Sequence, residues 1–355
     1  MTITTTVRVV STGWLTTLQD LGRHDAERLG VPTGGAADQN AATIANVLVG
    51  NARGATLLES MGGELALIPK DDVLIAVTGT PAVVTVDDTP VDQWAPVVVP
   101  AGHRLSISGA HAGARSYLAL HGTLHADLFL GSAAPDARMG FSQSITAGRT
   151  LELTTAFQGF HRTFFEQSLF RLPIEIPAYH DPVWSIDLVA GSLTDRIAGF
   201  RDLIASSLYT VTDRSNHVGL RLDGPVLHPE GDQEIVSHGV PIGAVEIPHG
   251  DELILLGRYR TLTAGYPIVG FATREAQSLL GQVAPGRRLA FRWVDRTRAH
   301  RRLVEAQARI EVLEDAVSSA FTAAGLGRAI GTRPMNVLPD VLEAQIDDDI
   351  NATVF

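Results

Sequence analysis

Short runs of apolar and β-branched residues recur along the chain, cut by Gly, Pro and Asp, and they predict many short strands. Val73–Val77, Ala82–Val86, Val97–Val99, Leu105–Ser108 and Ser116–Leu120 form one group. A second strand-rich stretch runs from Tyr209 to Phe271, with Leu253–Leu256 its most apolar piece. Such spacing reads as a barrel or sandwich, because a βαβ repeat would put a helical period between successive strands. Between the groups, Phe157–Pro182 carries aromatics together with Pro173, Pro177 and Pro182, and it reads as the connection between two domains.

Helical periods are few. Asp38 is placed to cap a helix whose Ala41, Ile44, Ala45 and Leu48 share a face, with Gly50 as its stop. Thr194 is placed to cap a second, with Ile197, Phe200 and Ile204 as the stripe, and Thr273–Leu280, closed by Gly281, is a third. Near the end, Leu303, Ala306, Ile310, Leu313, Val317 and Ala320 step by three and four, while Arg301, Arg302, Arg309, Glu311 and Glu314 occupy the other faces. That stripe is too short for a free coiled coil, so the helix is expected to pack on the second domain or on a partner protein. The tail, Arg328 to Phe355, is acidic at Asp347, Asp348 and Asp349 and reads as an arm or a partly disordered segment.

A chain of 355 residues is long for a single core, which favours two domains. We divide it into a first β-barrel domain over 1–160, a second over 161–295, and a C-terminal helix and tail over 296–355. The absence of cysteine excludes thiolate catalysis, Cys-ligated zinc and disulfides. Lys70 is the only lysine, and Ile-Pro-Lys-Asp-Asp around it is neither a biotinylation setting nor a P-loop. Biotin is therefore not expected on this chain, no covalently bound cofactor is expected, and any ATP chemistry belongs to the complex it joins. A net charge of -11 argues against nucleic acid as a partner. The N-terminus lacks a basic segment followed by an apolar core, and no apolar run approaches the roughly 20 residues a membrane span needs. A cytoplasmic protein without a membrane partner is the expectation.

The most informative string is Gly13-Trp14-Leu15-Thr16-Thr17-Leu18-Gln19-Asp20-Leu21-Gly22-Arg23. It resembles the opening signature of the carboxyltransferase subunit 2 family, which includes allophanate hydrolase subunit 2 and the third component of 5-oxoprolinase. The resemblance continues through Gly34-Gly35-Ala36-Ala37-Asp38 and Leu58-Glu59, and later through Gly113-Ala114-Arg115-Ser116-Tyr117-Leu118. It extends to Gly219-Leu220-Arg221-Leu222-Asp223-Gly224-Pro225, Ser237-His238-Gly239 and Gly265-Tyr266-Pro267. It implies a mainly β fold of two cyclophilin-like β-barrel domains with a few short helices. It also implies a subunit 1 partner, of the kind found as a kinase inhibitor or as the B component of 5-oxoprolinase, with a protein like the A component joining them in the oxoprolinase assembly. The implied activity is hydrolysis or carboxyl transfer at the C–N bond of a small amide or lactam, as in ATP-dependent 5-oxoprolinase or allophanate and urea chemistry. A non-catalytic regulatory protein that antagonises a kinase-inhibiting subunit 1 is the alternative.

Such chemistry develops oxyanions, which arginines and backbone N–H groups stabilise. Arg23, Arg221 and Asp20 are the candidate catalytic residues, and Gln19, Arg115, Ser237, Gly265 and Tyr266 the candidate substrate-binding ones; no metal ligand is assigned. His121 and His125 have a metal-compatible spacing on a helix, but Tyr117-Leu118-Ala119-Leu120 before them reads as a strand. Three strings depart from the family pattern. His217 replaces an Arg in Asn216-His217-Val218-Gly219, Arg258-Tyr259-Arg260 stands where an acidic residue is common, and Ala133-Ala134-Pro135 follows Leu130-Gly131-Ser132 in place of Arg-Ser-Thr. Changes of charge at an anion-handling site alter what it accepts.

Overall fold

Strands that are apolar on both faces set the architecture of the first half. In Val73–Gly79 every residue is buried. Val73, Ile75 and Val77 point into one core while Leu74 and Ala76 point into another, as the two-residue period of a strand requires when both its faces are covered. The computed structural model describes residues 2–157, 172, 174–191, 193–226, 236–248 and 252–326. The acidic tail falls outside these residues, as do residues 158–171 of the proline-rich connection.

Two antiparallel sheets enclose the first core. One has the strand order Thr123–Leu124, Thr150–Thr155, Ile3–Ser11, Leu65–Pro69, Leu105–Ser108, Val83–Val86 and Thr89–Pro90. The other runs Leu15–Gln19, Leu57–Met61, Arg115–Leu120, Val73–Gly79 and Pro96–Val99. Val9, Leu67, Leu153 and Ile107 from the first meet Leu18, Leu58, Leu118 and Ile75 from the second. Helix α1 (Gln39–Leu48) covers the outer face of the second sheet, where Tyr117 and Ala119 join Leu74 and Ala76 beneath Ala41, Ala45 and Leu48.

The second half is a closed barrel of seven strands, in the order Val183–Ala190, Ile268–Ala272, Ala244–Glu246, Leu253–Leu256, Gly219–Asp223, Leu208–Val211 and Arg288–Trp293. It closes through a parallel pairing of Val183–Ala190 with Arg288–Trp293, in register from Val183↔Arg288 to Leu188↔Trp293. Trp184, Tyr209, Leu222, Leu255 and Phe291 fill it. The fold is thus mainly β, with a closed barrel and a C-terminal helix, and among the described residues no helix is long and apolar enough to cross a membrane.

Of the three helix starts read from sequence two are observed, and a fourth, at Asp295, has no such reading. Asp38 caps α1 by accepting from the Ala41 N–H at 3.0 Å, and Gly50 follows in the left-handed region at φ 73°. Thr273 caps α3 (Arg274–Leu280) through the Ala276 N–H, and Asp295 caps α4 (Arg296–Ala323) through the Arg298 N–H at 2.7 Å. Thr194 does not cap α2 (Phe200–Ser206): the helix begins after Gly199. The Thr194 hydroxyl accepts from the Gly191 N–H and donates to the Val269 carbonyl, so it ties a 3-10 turn to the barrel, several residues before the helix starts.

Helix α4 packs on the second half, as expected, and reaches the first half as well. Arg302 at its start pairs with Asp187 of the barrel. Farther on, Glu314 accepts a bidentate bond from Arg53 at 2.8 and 2.6 Å, and Leu313, Val317 and Phe321 are buried against α1. Phe321 packs edge-on to His121, with ring centroids 6.1 Å apart. The same His121 ring nitrogen Nδ1 lies 2.6 Å from the Val49 carbonyl.

Candidate active site

A cavity of about 1200 Å³ opens between the two halves and is walled by α3 and α4. Thr17 and Glu59 on its floor begin a cross-strand row of the five-stranded sheet that continues beneath α1. Register places Thr17 opposite Glu59, Glu59 opposite Tyr117, and Tyr117 opposite Thr78, so these four side chains share the outer face. The alternation that sends Leu18 into the sandwich core turns Thr17 and Gln19 to this face. Three members of the row meet the start of α1. Thr78 donates to the Ala41 carbonyl at 2.7 Å, the Tyr117 hydroxyl accepts from the Asp38 N–H at 2.8 Å, and Glu59 accepts from the Ala37 N–H at 2.9 Å.

Asp38 therefore does more than cap. One carboxyl oxygen accepts from Ala41 and the other from Gln282 Nε2 at 2.9 Å, with the Tyr179 hydroxyl at 3.5 Å. Burial raises its pKa to about 6, with nearby Glu59 adding to the rise and the hydrogen bonds opposing it. Burial also pushes the Tyr179 and Tyr117 hydroxyls well above the usual tyrosine value. Arg115 ties the halves together here. Its Nη1 donates to the Gly281 carbonyl at 2.5 Å, its backbone N–H donates to Gln282 Oε1 at 2.9 Å, and its Nε lies 3.5 Å from Glu59.

The opening signature divides between scaffold and cleft. Asp20 accepts from the Gly22 N–H, the Ser132 hydroxyl and the Ala133 N–H at 2.7, 2.6 and 2.7 Å, so its acceptors hold a loop. Arg23 is 3% exposed; it donates to the Phe129 and Ala134 carbonyls and lies 3.8 Å from Asp136. Gly22 and Gly35 have φ of 92° and 89°, and a Cβ on either would come within 2.6 Å of the other segment's backbone. Glycine alone permits that approach.

Of the residues singled out from sequence, Gln19 and Arg115 line the cleft. Asp20 and Arg23 sit behind its wall. Arg221 lies on the barrel, where it pairs with Glu252, and Ser237, Gly265 and Tyr266 are likewise outside the lining. The departures from the family pattern, by contrast, converge on it: Pro135, His217, Arg258 and Tyr259 are lining residues. Arg258 Nε and Nη2 donate to the carbonyls of Gly34 and Leu21 at 2.6 and 3.0 Å, and Arg260 pairs with Glu27 at 2.8 Å. Both arginines thus bind the barrel to the first half. Burial lowers the Arg258 pKa to about 10, with Arg274 nearby adding to the effect, and burial raises Tyr259 to about 12. Arg274, Tyr179 and Gln282 were missed in sequence because no local string marks them, and Arg258 and Tyr259 stood out there only as a departure from the family pattern; convergence in space marks all five.

Residues 29–293 match the carboxyltransferase domain, subdomain A and B family, and the chain belongs to it. Over 295 residues it is 29% identical to the C subunit of 5-oxoprolinase from Escherichia coli (strain K12), covering 80% of this chain and 90% of that protein. It is 28% identical over 353 residues to the urea amidolyase of Lachancea kluyveri, covering 88% of this chain and 18% of that much longer protein. The crystal structure of TTHA0988 superposes with a TM-score of 0.69 at 28% identity, covering 81% of this chain and 55% of that one.

Proposed function

We propose that the chain is one component of an amide- or lactam-hydrolysing complex of the ATP-dependent 5-oxoprolinase kind, and that the cleft between its halves receives the substrate. The observation that carries this is the meeting of Gln19 and Arg115 with the carboxyls of Asp38 and Glu59 around one cavity. Among the described residues, buried Gln19 Oε1 has no hydrogen-bond partner, so a modest shift offers it to a substrate N–H. Asp38, with its pKa near neutrality, suits proton uptake or delivery at the same place. ATP is handled in the complex with a subunit 1 partner and a protein like the A component of 5-oxoprolinase, in the cytoplasm.

Turnover tests this reading. The chain is co-expressed with a subunit 1 protein and a protein like the A component of 5-oxoprolinase, and ATP-dependent release of glutamate from 5-oxoproline is measured. Gln19→Leu is expected to lower turnover by about tenfold or more with the complex intact, the effect of losing one bond to a reacting amide. A stable complex inactive on 5-oxoproline and on urea sinks the reading. One observation favours a second one: the positions that depart from the family pattern line the cleft, so a regulatory protein antagonising a kinase-inhibiting partner is what an inactive complex would indicate.

A further inference from the structure

Arg274, the first residue of α3, projects into the cleft. The residue is exposed at the cleft, and desolvation by the surrounding protein lowers its pKa without any carboxylate offsetting the effect. Among the described residues it makes no hydrogen bond or ion pair. Arg258 reaches the same cavity, and with Nε and Nη2 engaged by Gly34 and Leu21 its Nη1 is left without a partner among the described residues. Arg274 lowers the pKa of Arg258 after burial, and both lower that of His24 after burial.

Nearby carboxylates are committed elsewhere. Asp20 is occupied by Gly22, Ser132 and Ala133; Glu27 by Thr33 and Arg260; Glu59 by Ala37 and Arg115; and Glu275 faces Arg309 at 3.4 Å. In a chain of net charge -11, two arginines lining one cavity, one of them without a carboxylate partner among the described residues, form a recognition element. A planar carboxylate matches a guanidinium fork. Polyphosphate recognition commonly adds a lysine or a metal, and the only lysine here, Lys70, lies elsewhere.

We propose that Arg274, with Nη1 of Arg258, forms an anion site that takes the carboxylate of a small amide- or lactam-bearing acid, leaving the amide for the part of the cleft lined by Gln19 and Arg115. This rests on the reading of the cleft as the substrate site, and it narrows the substrate class to acids.

Calorimetric titration of the full chain, alone and in its complex, tests the site with 5-oxoproline, its carboxylate-free counterpart 2-pyrrolidone, the open-chain acid N-acetylglycine, and inorganic phosphate. The acids are expected to bind about tenfold or more tighter than 2-pyrrolidone, the range for a hydrogen bond to a charged group. Arg274→Gln is expected to abolish that preference and Arg274→Lys to keep part of it, with circular dichroism and Tm unchanged in both. Equal binding of the acids by folded Arg274→Gln overturns the site, and phosphate binding through Arg274 without acid binding overturns the carboxylate assignment. Arg274-dependent binding of N-acetylglycine in a complex that does not turn over 5-oxoproline upholds the anion site while the 5-oxoprolinase reading falls. Turnover of 5-oxoproline unaltered by Arg274→Gln does the reverse.

Discussion

His217 meets Tyr259 edge to face, with ring centroids 5.7 Å apart and ring planes at 81°. The two residues come from separate strings at which the chain departs from its family pattern, and they form one wall of the cleft. An aromatic pair of this geometry contributes about 0.5–1.5 kcal/mol beyond the area it buries. His217→Ala is expected to destabilise by about 1 kcal/mol in the native background and by clearly less in a Tyr259→Leu background. Urea unfolding of the two single variants and the double variant measures the coupling. Strict additivity would show that the pair is a mere neighbour relation.

Asp38 gives the fold a pH signature. Its folded pKa of about 6 stands above its ordinary 3.8 because burial disfavours the charge. The folded state therefore holds the proton more tightly than the unfolded chain. The resulting stabilisation is full below pH ~4 and is lost as the pH rises towards ~6, a change of about 3 kcal/mol. Asp38→Asn is expected to lack that slope, whatever its absolute stability. Glu246, raised to about 7 by burial, titrates in both proteins and cancels in the difference. Thermal unfolding from pH 3.5 to 7 decides the matter, and parallel curves for the two proteins would count against it.

Much of the fold was legible because burial and periodicity agree. Val73–Gly79 and Arg115–Leu120 are apolar runs bounded by turns, and α1, α3 and α4 each start at a side chain that does cap. Thr194 misled because a cap and a turn anchored to a strand look alike locally; the Val269 carbonyl that engages it is distant in sequence. The site was legible in part for the same reason. Gln19 lies in a recognisable string and faces the cleft, while Asp20 and Arg23 in that string support the loop behind it. Arg258 reads as a charge inversion in sequence, and only the fold shows that its charge meets backbone carbonyls of the other half.

Gly281 closes α3 where that helix touches the start of α1. Its φ of -61° is open to any residue, so its identity is set by space and not by backbone strain. A Cβ there would lie 2.3 Å from the Ala37 carbonyl carbon and oxygen and 2.6 Å from the Asp38 nitrogen. Gly281→Ala is expected to cost about 1–3 kcal/mol, the usual range for overpacking. It should also shift the Asp38 titration, because the capping backbone must move. Unfolding and carboxyl-resolved NMR titration would detect both effects; an unchanged Tm would mean the two segments are not held so closely.

Phe321 near the end of α4 and Gly50 after α1 test whether that helix is part of the core. The ring is 2% exposed, and a Cβ on Gly50 would lie 2.7 Å from it, at a position whose φ of 73° already disfavours a side chain. Phe321→Ala is expected to cost about 3 kcal/mol through lost burial and a residual cavity. Gly50→Ala is expected to destabilise through both the clash and the left-handed backbone. The clash disappears once the ring is gone, so the double variant should lose less than the sum of the two singles. Equal costs in both backgrounds would leave only the backbone term and would place the Phe321 ring away from Gly50 in solution.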